Sequence, residues 1–489
     1  MKLIIRSSQV VDRPKTTYDI ARNVVAISIA FMISSTAYSG TINLQSSINA
    51  DAGLGTLALG ISCAGFVVSN MFLPVLLIKW IGTKWTICIS FLAYTPYYAA
   101  QLYPNFYTLI PTAWIMGFGG ASLWCAKSAY LCAASEDHKN ISNISLDILL
   151  SRFFGIFFMI YQLNQVFGNL ISSLVLSLGD NEAAVTAVND SIIPTLCGAN
   201  YFPSTDADKA LQVQPKERIQ IIAGIFVGCT IIAALIVAIV VDPIQSNQDN
   251  KNTSMNGSVM TRTLKVLIDP KQILLIFFNI FTGMQQAYFA ADFTASFVSC
   301  AIGVGIVGFV MMTYGLVDAI GSVTVGQLAK KVGRLPLMIA AFVTHCFILV
   351  FLLSWSPQSN QKFVVYILAC LWGLCDSVWM VQSSVFYGII FADRKEAAFS
   401  SIRFYESIGF VIAYFISPYL RTNVKTFILL LTMVIGVLLY FVLEYKEKKS
   451  ITLNPTPQLN SPNMELDFCD QSSQNKKSKR SMSDGDTVL

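Results

Sequence analysis

Five ionisable side chains interrupt long apolar runs in this sequence. Lys127 stands in GASLWCAKSAYL (120–131), Asp318 in MMTYGLVDAIG, Asp376 in WGLCDSVWM, and Arg403 and Glu406 in SIRFYESIG. Charge placed in hydrocarbon is costly, so such residues pair, line a water-filled path or mark a site. Arg403 and Glu406 are three apart and share one helical face, which predicts an ion pair. Asp318 and Asp376 each lie about 13–15 residues, or roughly 20 Å, from the outer end of their runs. Lys127 lies about 20 residues from the outer end of its run, roughly 30 Å deep. That depth is near the cytoplasmic interface, where lysine extends its ammonium to the headgroups or pairs structurally. The alternative is a role in a substrate or regulatory site.

Other polar residues in apolar runs have plainer readings. Gln162, Gln165 and Asn169 follow helical spacing, and interhelical hydrogen bonds are expected of them. Asp292 ends its run at the outer surface, where solvation is expected. The two histidines, His138 and His345, share no metal-ligand spacing with cysteine, and His345 is read as a hydrogen-bonded core residue. Neither a catalytic constellation nor a phosphate-binding glycine loop is found, so no enzymatic activity, metal or cofactor is expected, and no nucleic-acid partner.

The elements that must carry these residues follow from composition. Of 489 residues, 54% are hydrophobic and 12% charged, about half the charge of a soluble domain, and the mean hydropathy is +0.59. The chain therefore reads as an all-α polytopic membrane protein. About 20 apolar residues span the hydrocarbon as a helix. Twelve spans meet this test, near 20–41, 54–78, 85–102, 107–131, 153–177, 219–241, 271–292, 304–328, 335–354, 363–388, 399–420 and 424–444. No cleavable signal peptide is visible in MKLIIRSSQVVDRPKTTYD. With both termini in the cytoplasm, about 26 of the 33 Lys and Arg residues fall on the inside, which supports that orientation.

The polar connection 242–270 divides the spans six and six, giving a segment 1–19, bundles 20–241 and 271–445, and a polar tail 446–489. KWIGTK (79–84) is echoed by KKVGRL (330–335), and SLW (122–124) by SVW (377–379), both at an offset close to 250. These echoes predict two pseudo-symmetric six-helix bundles, the major facilitator arrangement with a cavity between halves. GQLAKKVGRLP (326–336) resembles that superfamily's cytoplasmic loop signature, although neither copy keeps the usual aspartate. In the Ser/Val-Trp echo, Lys127 aligns with neutral Gln382.

Outside the spans, Cys197 and Cys300 are both expected on the oxidising face and are candidates for a disulfide joining the halves. Of the sequons, only Asn189 is expected on the lumenal side and so to carry glycan. The tail contains KKSKR (476–480), which suits solvation or contact with anionic lipid. It ends in Thr487, Val488 and Leu489, which fit the pattern of a PDZ ligand; a tail end without function is the competing reading.

Several stretches in order across both halves resemble the uncoordinated-ninety-three (Unc) family, its homolog A group in particular. They include NLQSSINADAGLGT (43–56), MFLPVLLIKWIGTKWTI (71–87), GASLWCAKSAYL, FTGMQQAYFAADFT (281–294), WGLCDSVWMVQSSVFYG (372–388) and KEAAFSSIRFYESIGFVIAYF (395–415). The resemblance implies a twelve-helix facilitator fold. It also implies roles beyond transport: members regulate two-pore-domain potassium channels as accessory subunits, and one relative escorts innate-immune receptors. The expectation is a multi-pass accessory protein of the plasma membrane, rather than endomembranes, that regulates an ion channel by association within the lipid. The alternative is a secondary solute carrier, with Asp318, Asp376, Lys127 and Glu406 lining or gating a central cavity.

Overall fold

In hydrocarbon no water completes the backbone's hydrogen bonds, so an apolar chain of this composition must close them within helices. The computed structural model describes residues 16–48, 54–142, 144–177, 197–202, 216–244, 264–303, 306–358 and 360–453. The helices are α1 (Thr17–Ile48), α2 (Leu54–Asn70), α3 (Leu73–Leu92), α4 (Thr95–Ala100), α5 (Phe106–Ile141), α6 (Leu146–Ser177) and α7 (Lys216–Val240). They continue with α8 (Pro270–Ala287), a π-helix (Tyr288–Ser299), α9 (Val307–Val332), α10 (Arg334–Ser354), α11 (Lys362–Ile390), α12 (Lys395–Ile416) and α13 (Thr422–Leu453). Among the described residues, eleven stretches are long and apolar enough to cross a membrane, and a shorter apolar helix covers Leu57–Asn70. Asn189 and Thr487–Leu489 lie outside the described residues.

Helix ends follow local chemistry. Asn105 accepts from the Thr108 amide, and Thr108 Oγ1 accepts from the Asn105 amide, a capping box at the start of α5. Asp269 caps α8, and Pro270 takes the first-turn position whose N–H would have no helical partner. Hydropathy marked the lipid boundary, whereas the helices run on past it. α5 extends to Ile141 instead of ending near 131, α6 begins at Leu146 instead of 153, and the π-helix carries the seventh span from 292 to Ser299. Glu136, Asp137, His138 and Lys139 can prolong a helix into the aqueous layer, because helical hydrogen bonding does not require apolar side chains.

Two turns set the positions of neighbouring helices. The second span runs through α2, a turn at Met71–Phe72, and the first part of α3, which breaks at Gly82 (φ 81°, ψ 166°). Gly333, between α9 and α10, has nearly the same backbone, φ 82° and ψ 173°. The two glycines of the KWIGTK and KKVGRL echoes thus make one and the same turn. This region of backbone space is open essentially to glycine alone.

The described residues up to Tyr440 form one compact unit, and the end of α13 beyond it is a separate one, in which Lys448 reaches Glu444 at 3.6 Å. Within the first unit α6 packs against α9 along its length. Glycine permits this approach. A Cβ at Gly155 would stand 2.8 Å from the Ser322 carbonyl, and one at Gly326 would stand 2.7 Å from that of Ser151. Small residues at such a crossing let backbones meet where no hydrophobic drive between helices exists.

The turn glycines have open space around the missing side chain, so any cost of substitution is one of backbone strain. Gly82→Ala and Gly333→Ala are each expected to cost about 1–3 kcal/mol. The check is the thermal unfolding midpoint of each purified variant in detergent. An unchanged midpoint for both removes the strained turn as a shared structural device.

Candidate functional site

Helices from both ends of the sequence surround a cavity of about 190 Å³. α1 supplies Tyr38, α5 Trp124, and α6 Tyr161, Gln162 and Gln165; Gln286, Tyr314, Arg403 and Glu406 close it from the carboxy-terminal helices. The amide stripe is therefore split. Gln162 and Gln165 line the cavity where α6 packs closely on Gly315 of α9, while Asn169 donates to the Gln165 carbonyl at 2.6 Å.

Among the described residues, the floor of the cavity holds its only charged lining, Arg403 and Glu406. One turn of α12 brings them together, and Arg403 Nη1 donates to Glu406 Oε2. The Arg403 guanidinium also lies 4.3 Å from the centre of the Trp124 ring. Partly desolvated cation–π contacts of this kind contribute about 0.5–2 kcal/mol. Next to the floor lies Lys127, fully buried and without a hydrogen-bond partner for its ammonium. Rings surround the Nζ instead: Trp124 at 4.9 Å, Phe157 at 4.1 Å, Phe158 at 4.8 Å and Phe154 at 5.5 Å.

Lys127 does not reach the headgroups. Its side chain is fully buried inside the bundle, and the rings of α5 and α6 enclose its Nζ instead of leaving it extended along the helix.

The two aspartates stand apart from the cavity. Asp376 on α11 accepts from Gln285 Nε2 at 2.5 Å and from the Tyr314 hydroxyl. Gln285 is held in turn by Trp372 Nε1, which donates to its Oε1 at 2.7 Å. Asp318 on α9 is its near neighbour, accepting from Ser322 Oγ at 3.3 Å, while its other oxygen finds no donor. Neither carboxyl lines the cavity; Tyr314 does, and stands between it and Asp376. Of the four residues named for a carrier cavity, Glu406 alone is in the lining. His345 is in the core, where its Nδ1 accepts from Trp379 Nε1 at 3.2 Å.

Toward the face where α1 begins, further contacts close the space below Lys127. Glu136, nine residues along α5, pairs with Lys395 at the start of α12. Ser400 Oγ donates to the Asn70 carbonyl, and Cys125 Sγ to that of Glu396 at 3.1 Å. These join helices before residue 142 to helix α12. At the opposite face Cys197 and Cys300 are bonded, with Cα atoms 5.6 Å apart. The Thr422 amide adds a bond to the Tyr201 carbonyl at 3.0 Å, so residues 197–201 are tied to the carboxy-terminal helices.

Asp292 is not solvated. It is 5% exposed and Lys425 2%, and Lys425 Nζ donates to Asp292 Oδ1. Ser417 Oγ donates to the same oxygen at 2.7 Å, and Lys425 also reaches the Ser417 carbonyl at 3.1 Å. The π-helix explains the difference, since seven residues follow Asp292 before the helix ends. Sequence reading passed over Lys425 and Glu136, whose partners lie 133 and 259 positions away.

Removing one member of a buried ion pair leaves an uncompensated charge, costing about 3–5 kcal/mol, whereas replacing both is often neutral. Asp292→Asn and Lys425→Met should each lower the unfolding midpoint of the purified protein sharply. The double variant should recover most of the loss. A double-mutant cycle with no coupling would sink the pairing.

Comparison with known proteins follows this geometry. A family model described as ion channel regulatory protein UNC-93 matches residues 45–441. Protein unc-93 homolog A of Xenopus laevis is 37% identical over 434 residues, covering 87% of this chain and 93% of that protein. The Homo sapiens homolog A is 34% identical, covering 88% and 94%. The putative potassium channel regulatory protein unc-93 of Caenorhabditis elegans is 29% identical, covering 87% of this chain and 61% of that protein. Among solved structures, the major facilitator transporter FucP in its outward conformation aligns with a TM-score of 0.59 at 16% identity, over 86% of this chain and 97% of that one. The human organic anion transporter MFSD10 aligns at 0.58 and 10% identity, over 87% and 99%. At these identities the likeness is one of fold, the major facilitator fold. By the family match along most of its length and by relatives above 30% identity, this chain belongs to the UNC-93 family of ion channel regulatory proteins.

Proposed function

We propose that this chain is a non-enzymatic accessory protein that regulates a potassium channel of the two-pore-domain type by association within the membrane. The observation that carries the reading is the family match over residues 45–441, together with the potassium channel regulatory title of the worm relative. The position of the aspartates agrees with it. Asp318 and Asp376 are spent in helix contacts and leave the cavity without the carboxyl pair a carrier reading relied on.

The reading places residues 20–241 and 271–445 as two halves joined by 242–270, and the shared turn of Gly82 and Gly333 supports that division. Both termini are assigned to the cytosol from the Lys and Arg distribution, and the plasma membrane is the assigned residence. On this orientation Asn189 carries glycan, and Thr487–Leu489 are offered to a cytosolic PDZ domain. A partner helix needs a face free of this chain's own packing. On α7, Gly224 and Gly228 are four apart, with open space where each side chain would be. That spacing suits close helix approach in lipid.

A second reading, a secondary solute carrier, is favoured by the cavity itself, which both sets of helices line. The two readings separate in paired assays. Co-expression with a two-pore-domain potassium channel under voltage clamp should change channel current, and Gly224→Leu with Gly228→Leu should reduce that change severalfold at equal surface expression. Purified protein in liposomes should show no gradient-driven solute uptake. Uptake abolished by Glu406→Gln, with channel current untouched, would favour the carrier and overturn the accessory role.

A further inference from the structure

Two basic side chains, Arg403 in the lining and Lys127 behind it, stand at one end of the cavity beside a single carboxylate. Arg403 and Lys127 both approach the ring of Trp124, at 4.3 and 4.9 Å from its centre. Glu406 is the single carboxylate in the lining and is bonded to Arg403. Lys127 is fully buried with no hydrogen bond made by its ammonium. Four rings face that ammonium, and their π-faces attract a cation without accepting its hydrogens as an oxygen does. A fully buried basic side chain without a hydrogen-bond partner is rare in membrane helices and is a functional-site candidate by default.

What these two basic groups lack is a second acid beside Glu406, one that brings hydrogen-bond acceptors. Above the floor the walls are aromatic and amide-bearing, with no other charge: Tyr38, Phe66, Phe289, Phe410, Gln162 and Gln286 are among them. Such walls suit an apolar or flat body and offer it a few polar contacts. The volume, about 190 Å³, is below the roughly 300–1,000 Å³ of sites for drug-sized ligands.

We infer that this cavity binds a small amphipathic monoanion, with its acidic group at Arg403, within electrostatic reach of Lys127, and its apolar body among the aromatic walls. Arg403 offers guanidinium hydrogens beyond the one given to Glu406. Lys127 acts from beside Trp124 through a medium of low dielectric, where charges interact across several ångströms. A bound acid would complete the charge balance that this chain leaves open. The inference does not rest on the channel reading, since it concerns the purified chain alone.

The test measures equilibrium binding to purified full-length protein in neutral detergent. The probes are indole-3-acetate and octanoate, with indole-3-acetamide as the uncharged match and lysophosphatidate in mixed micelles as the lipid source. At least one anion should bind saturably, and indole-3-acetamide at least tenfold more weakly than indole-3-acetate. Lys127→Met should weaken the anion at least tenfold. Glu406→Gln should do the reverse and tighten it severalfold, because it removes the competing carboxylate. That opposition of sign separates a binding role from a structural one, and it stands on Glu406→Gln and the acid–amide pair if Lys127→Met fails to fold. Binding by lysophosphatidate alone assigns the site to a membrane lipid, and binding by the soluble acids alone to a free organic acid. The inference is overturned if folded wild-type protein binds none of the anions, if acid and amide bind alike, or if folded Lys127→Met binds as wild type.

Discussion

The Arg403 guanidinium bonds the Glu406 carboxylate and lies on the indole of Trp124, and this contact joins α12 to α5 at the floor of the cavity. In hydrocarbon neither ion would be tolerated alone, so the pair fixes both side chains and the helix faces that present them. What stands above the floor is aromatic and neutral apart from these two, and what lies beneath is closed by Lys127 among its rings and by the Glu136–Lys395 pair. The ion pair is made within α12, and the contact of Arg403 with Trp124 is what carries it across to α5.

The same constraint orders the rest of the molecule. Near the disulfide face, Asp292 and Lys425 answer each other between the π-helix and α13, with Ser417 as a third partner. Within the carboxy-terminal helices, Asp376 is answered by neutral donors, Gln285 and Tyr314, and Asp318 is left with one oxygen unfilled. Lys127 is answered by π-faces alone. The degree of compensation thus falls from a full ion pair, through neutral hydrogen bonds, to cation–π contact. The least compensated cation sits beside the cavity, where a ligand's charge has the most to contribute.

The helix contacts that close the α1 side, Glu136–Lys395 and Ser400 to the Asn70 carbonyl, use residues outside the loop signature common to facilitators. The signature's turn is retained, as Gly82 and Gly333 show, although its aspartate is absent from both copies. Geometry of the turn depends on backbone alone and survives loss of the charge. At that end of the molecule the charged contact is made by α5 and the start of α12.

Much of this was legible in the sequence because lipid acts on residues one segment at a time. Long apolar runs, the asymmetry of Lys and Arg, the repeated glycine turns and the ordered family stretches are all local properties, and they fixed the helical membrane class and the family. The i, i+3 pairing of Arg403 with Glu406 is local too, since helix geometry alone brings such side chains together. Depth and partnership are not local. Asp292 reads as solvated because the apolar run stops there while the π-helix runs on, and Lys127 reads as reaching the headgroups because nothing local shows the rings of α6 that enclose it. Asp292 meets a partner 133 residues away, and Glu136 one 259 away, so only packing of the whole chain could decide which charges are answered and which, Lys127 among them, are left without a partner.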